Sequence, residues 1–257
     1  YICAMAPDWK EKPLSIWYNG GPGAPSTFGL FQEFGPFLLT SDSYRTAEFR
    51  ATKVPTPLFN AWTWANVTSL CEIDSPAPMG ASYCTMGNGS ATSHGGPSGD
   101  PYTCGPWTDK STAKANHRAH AAFFRDAFPE FEASQQPVTL VGESYAGVYV
   151  PTLAEAVLAL VDKGRWKGAA LEGIAVGNGC SGTEVGVCGG QRWIYDTQYL
   201  LGTGFVSPRL KTQVRAACDF GASEPSAPCS RLLDQMGEAV GHVNLSNVYG
   251  QCISSRG

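Results

Sequence analysis

The feature that most constrains the fold of this 257-residue chain is the run Gly142-Glu143-Ser144-Tyr145-Ala146-Gly147, set between two segments of different periodicity. Val138-Thr139-Leu140-Val141 before it is apolar and β-branched and predicts a buried strand. Residues 145–163 after it carry helical periodicity and close at Gly164, with Pro151 inside and expected to bend the helix. A strand that turns at once into a helix needs small residues around the turn, because the two backbones approach closely there. Gly142 and Ala146, two residues to either side of Ser144, meet that need, although the general pattern G-x-S-x-G has glycine where Ala146 stands. The turn exposes the serine hydroxyl at the sheet edge, and the helix start leaves amides unpaired beside it. Ser144 is therefore the expected nucleophile, and the Tyr145 amide is aimed at the developing oxyanion.

The surrounding segments supply the rest of such a fold. Residues 13–18 read as a buried strand running into Asn19-Gly20-Gly21-Pro22-Gly23, whose Gly20-Gly21 amides are candidates for the second oxyanion donor. Residues 70–74 and Gly173-Ile174-Ala175-Val176 read as further strands. A helix is expected from the cap residues at Thr108-Asp109 through Phe128, ended by Pro129. Strands alternating with helices predict a mostly parallel central sheet flanked by helices, the α/β-hydrolase architecture. The division expected is a core over 1–178 and a cysteine-containing cap or insertion over 179–257, with the rest of the core on a missing segment or second chain.

Charge narrows the function. The formal net charge is -4, only 16% of residues are charged, and no basic cluster stands out, which argues against nucleic acid. No apolar run reaches membrane-spanning length and no signal-peptide pattern opens the sequence, so a mature soluble form or a fragment of one is expected. Nine cysteines without paired C-x-x-C clusters argue for disulfides in an oxidising compartment and against zinc; no metal and no cofactor is expected. Cys84 and Cys104 bracket a Gly/Ser-rich loop that a disulfide would close. The odd count leaves at least one thiol free or bonded outside the chain. Asn66, Asn88 and Asn244 begin glycosylation acceptor triplets, in keeping with a secretory route.

Together the motifs resemble the serine carboxypeptidase family. The matching segments come in the family's order: Trp17-Tyr18-Asn19-Gly20-Gly21-Pro22-Gly23, Glu33-Phe34-Gly35-Pro36, Asn60 with Trp62 or Trp64, and Asp74-Ser75-Pro76-Ala77. Phe128-Pro129-Glu130-Phe131, the Ser144 run and Gly173-Ile174-Ala175-Val176-Gly177-Asn178-Gly179 follow. The resemblance implies that Gly21 and Tyr145 supply the oxyanion-hole amides. It also implies that Asn19, Glu33 and Glu143 bind the free C-terminal carboxylate of a peptide or protein. Two glutamates beside a carboxylate cannot all be ionised, so such binding is expected to favour acidic pH.

The departures matter as much. Ala24 stands where the family has a cysteine. A Ser-His-Asp triad also needs a base and an orienting acid, which the family supplies near its C-terminus. Of the four histidines, His94 lies in the Gly-rich loop, and His117 and His120 lie on a helix before the nucleophile. His242, in Gly241-His242, precedes a segment that resembles one placed before the family's acid and base. The resemblance thus implies that the catalytic Asp and His lie outside this chain, on a disulfide-linked second chain. This chain then reads as the larger of two, a piece of the fold at both ends. By the same resemblance Cys252 would link to that partner, Cys218 would pair with Cys229, and Cys180 and Cys188 would form a local bridge. The expected function is a serine-type carboxypeptidase, secreted or vacuolar/lysosomal. An acyltransferase on the same scaffold and a non-catalytic structural or binding relative are the alternatives.

Overall fold

The computed structural model describes residues 1–85, 91–92, 107–134, 136–181 and 188–243. The chain divides into two compact units, Tyr1–Ser181 and Gly182–Gly257. The first is built on a five-stranded sheet: β1 (Ile2–Ala4), β2 (Leu14–Tyr18), β3 (Ser69–Glu72), β4 (Val138–Glu143) and β5 (Leu171–Gly177). Their spatial order is β1-β3-β2-β4-β5, with β1 antiparallel to β3 and every other pair parallel. Central strands β2 and β3 are buried throughout, as strands covered on both faces must be.

One face of the sheet is packed by α1 (Asp109–Ala122) and α3 (Ala146–Val161). Leu14, Ile16, Tyr18 and Leu140 meet Phe124, Val150 and Leu153 in that core. On the opposite face Trp17, Leu70 and Val141 meet Leu30 and Phe34, from a short helix Thr27–Gly29 and the wider turn Leu30–Phe34 that continues it. Alternation along β2 explains the split, since Trp17 points away from its neighbours Ile16 and Tyr18. At the outer margin, β5 hydrogen-bonds only to β4 among the described strands, and Ile174 is 47% exposed there.

Three local expectations are revised. The helix expected through Phe128 ends at Ala122 and loosens into a π-turn, Phe123–Ala127. Pro129 then opens α2 (Pro129–Ser134) as well as closing what precedes it, because a first-turn residue has no amide to lose. Cys3 and Cys71, for which the sequence alone predicts no pairing, form a disulfide between directly opposed residues of β1 and β3.

The second unit contains α4 (Arg192–Gly202), α5 (Pro208–Ala217) and α6 (Ala227–Val240), where the sequence pattern is weak. Ser207 and Ser226 cap the last two through their side chains, each with a proline in the first turn. Leu201, Val206, Val214 and Met236 form the core around a Cys218–Cys229 disulfide. Cys180 and Cys188 are both disulfide-bonded. Asn66 is exposed and donates from its side chain to the Ala61 carbonyl at 3.0 Å. The Cys84 side chain, Cys104, Cys252, Asn88 and Asn244 lie outside the described residues. Among the described residues no helix is long and apolar enough to cross a membrane.

Candidate active site

Ser144 sits between β4 and α3 with φ +59°, a left-handed conformation uncommon for a residue with a side chain. Both of its backbone groups are pinned. Its N–H donates to Gly177 at 3.0 Å, and its carbonyl accepts from Gly147 at 2.9 Å and Cys180 at 2.8 Å. Such a conformation costs on the order of 1–3 kcal/mol and persists where its surroundings over-determine it, as these bonds do here. A Cβ on Gly142 would fall 2.4 Å from the Ala146 Cβ and 2.7 Å from the Tyr18 carbonyl. The sharp strand-to-helix turn is therefore built on glycine at 142 and a side chain no larger than alanine's at 146.

The glycine loop after β2 closes on this turn from the other side. A Cβ on Gly20 would lie 2.4 Å from the Tyr145 nitrogen and 2.8 Å from the Ser144 Cβ, so the two backbones are as close as glycine permits. Gly21 follows with φ +112°. Gly20 is thus legible in the sequence as a turn residue, but its role as the contact surface for the Ser144 turn is not. The Tyr145 hydroxyl donates to Asp109 at 3.0 Å, tying the turn to the start of α1.

Asn19 is buried, and its Oδ1 accepts from Trp17 Nε1 at 2.7 Å and from the Gly29 amide at 2.9 Å. With Oδ1 filled, the side chain is left to donate, and it hydrogen-bonds to Glu33. Glu33 also shares a hydrogen bond with Glu143, the residue before Ser144. As a whole residue Glu33 is open to solvent, yet its carboxyl is partly withdrawn into the cleft. That burial first, and the neighbouring Glu143 carboxylate second, push its pKa above the ordinary range, with Asn19 opposing. Glu33 and Glu143, the residue before Ser144, line one cleft of about 630 Å³ walled by Trp17, Phe34 and Trp64, with Asn19 against Glu33. Trp64 stacks on Phe34 at 4.9 Å and 25°, which fixes that aromatic wall.

The histidines divide differently. His120 is buried, and its Nε2 lies 2.6 Å from the Tyr18 hydroxyl. Burial first, then His117, lower its pKa to about 3, so it is a neutral core residue. His242 is exposed, and His94 lies outside the described residues. One acidic pair gives no signal in the sequence: Glu72 and Asp74 are both buried at the end of β3.

Residues 1–256 match the family model described as serine carboxypeptidase. The chain belongs to the serine carboxypeptidase family. Among its relatives, the lysosomal protective protein of Mus musculus is 32% identical over 254 residues, covering 95% of this chain and 44% of that protein. Serine carboxypeptidase 1 of Hordeum vulgare is 27% identical over 261 residues, covering 100% of the chain and 46% of that protein. The chain thus spans less than half the length of these relatives. It also resembles the crystal structure of a prohormone-processing carboxypeptidase from Saccharomyces cerevisiae, with a TM-score of 0.55 and 20% identity. That match covers 95% of this chain and 49% of the yeast one. It bears on the fold, a mostly parallel sheet of the α/β-hydrolase type.

Proposed function

We propose that this chain carries the nucleophile and the carboxylate-recognition site of a serine-type carboxypeptidase. The observation that carries the reading is a left-handed Ser144 directly after Glu143, which lines one cleft together with Glu33. Ser144 Oγ attacks the carbonyl of the last peptide bond while a base removes its proton. The Tyr145 and Gly21 amides stabilise the oxyanion. The C–N bond then breaks, the departing residue takes the proton, and water resolves the acyl-enzyme by the same route.

The orienting acid and the histidine base come from outside this chain, on a segment that extends the sheet beyond β5. Support comes from the outer edge of β5, exposed at Ile174, and from the chain's matching less than half of its relatives. A disulfide-linked second chain joined through Cys252 is the form we favour, with residues 179–257 as the cap or insertion. The disulfides, the exposed Asn66 and the relative named as lysosomal support a secretory-pathway location, secreted or vacuolar/lysosomal.

The glutamate pair supplies the test. A protonated Glu33 donates to the substrate carboxylate, whereas an ionised one repels it. Because Glu33 binds its proton more tightly than an ordinary carboxyl, affinity is expected to fall as pH rises above the ordinary carboxyl range. KM for a peptide with a free C-terminus should rise between pH 5 and pH 8, and Glu33→Gln should flatten that rise. A KM unchanged over this range in the wild type would exclude the pair from carboxylate binding.

A further inference from the structure

The acidic pair at the end of β3 has no part in the mechanism above, yet it touches the segment that carries Glu33. Glu72 is 1% exposed and pairs in register with Trp17, which places it on the sheet face packed by residues 27–34. Asp74, two residues on, lies on the same side of the chain and is also buried. Asp74 Oδ1 accepts from the Thr27 amide at 3.1 Å, and Oδ2 accepts from the Ala81 amide at 2.7 Å. A Cβ on Gly80 would fall 2.0 Å from Oδ2, so the 80–81 turn encloses this carboxyl closely.

The Glu72 and Asp74 carboxyls interact with each other, and the buried Glu72 Oε2 has no hydrogen-bond donor. Two interacting carboxyls buried together repel each other when both are ionised, so the pair favours holding one proton. Asp74 already accepts from two backbone N–H groups, whereas Glu72 Oε2 has no donor, so the proton is placed on Glu72.

We propose that Glu72 is a positioning residue: its proton bridges it to Asp74, and Asp74 thereby anchors the start of the 27–34 segment that presents Glu33 to the substrate. Losing that proton sets two carboxylates against each other in a buried site and loosens the anchor. Burial first and Asp74 second push the Glu72 pKa up to about 8. Among the described residues, two further groups act on it. The Ile2 amide, on β1, favours ionisation, and the Tyr18 hydroxyl on β2 interacts with it. Since the folded protein holds a proton that the unfolded chain releases at ordinary carboxyl pH, this stabilisation is complete below about pH 4.5 and is lost as pH rises through about 8.

The substrate part of this inference rests on the carboxypeptidase reading; the stability part does not. The test compares the native protein with its Glu72→Gln variant, which keeps a neutral hydrogen-bond donor at that position. Between pH 5 and pH 8.5 the wild-type Tm should drop by roughly 5 °C more than that of the variant. KM should also climb more steeply in the wild type above pH 7.5. Parallel Tm curves would overturn the proposal even where peptides are hydrolysed. Diverging Tm curves without hydrolysis would uphold the proton link and defeat the peptidase reading instead. Should the variant fail to fold, a ¹³C titration of wild-type glutamate carboxyls decides. One resonance with a midpoint near 8, retained in Glu33→Gln, is expected; its absence would overturn the inference.

Discussion

Replacing Ser144 with alanine should reduce peptide hydrolysis by the native protein roughly 10⁴-fold or more, while leaving its stability nearly unchanged. The size follows from the mechanism: without Oγ no acyl-enzyme forms, and only the oxyanion hole and binding contacts remain. The fold should tolerate the change, because Ser144 is held in its left-handed conformation by its backbone bonds to Gly177, Gly147 and Cys180. None of those uses the side chain. A fluorophosphonate probe gives the same test without substrate. It should label Ser144 in the native protein and leave the Ser144→Ala variant unlabelled. The isolated chain should also remain unlabelled, because a serine hydroxyl without its base is a poor nucleophile. Full labelling of the isolated chain would contradict the assignment of the base to a further segment.

Gly20→Ala should be nearly as damaging, by a different route. Its new Cβ would meet the Tyr145 nitrogen at 2.4 Å, the Glu143 carbonyl at 2.7 Å and the Ser144 Cβ at 2.8 Å. Two of these are backbone atoms on a turn already fixed from both sides, so no flexible side chain can yield. The glycine loop must retreat, and with it the oxyanion donor proposed at Gly21. Loss of one oxyanion donor costs about 10²–10³ in kcat. The forced separation should also cost about 1–3 kcal/mol of stability, by the usual penalty for overpacking. Gly173→Ala is the control. Nothing lies within 4 Å of a Cβ there, so stability should stay within about 0.5 kcal/mol of wild type. Denaturant unfolding and steady-state kinetics on the two variants separate these outcomes.

The Ser144 turn is legible in the sequence because it is a local problem. A strand, a sharp turn and a helix each leave their own periodicity, and the small residues at 142 and 146 mark where the two backbones must approach. The 19–23 loop is legible for a similar reason. Interactions between distant segments are harder. The Cys3–Cys71 disulfide depends on β1 lying antiparallel to β3, which neither segment encodes alone. Pro129 reads as a terminator, although proline both stops one helix and opens another, and only the following residues decide. The helices of the second unit carry usable signals in Ser207-Pro208 and in Ser226 two residues before Pro228. Those signals are outweighed by the surrounding cysteines and small residues. Glu72 is the least legible, because an acidic residue in an otherwise apolar strand gives no sign of the neighbour that shares its proton.

The most direct test of the central reading uses two peptides identical except that one ends in a free carboxylate and the other in an amide. Each is incubated with the native protein at pH 5 and followed by mass spectrometry. Stepwise loss of single residues from the free-carboxylate peptide, with the amide largely spared, is the expected result. Internal cleavage, or equal loss from both peptides, would contradict a carboxypeptidase built on Ser144 and the Glu33–Glu143 pair.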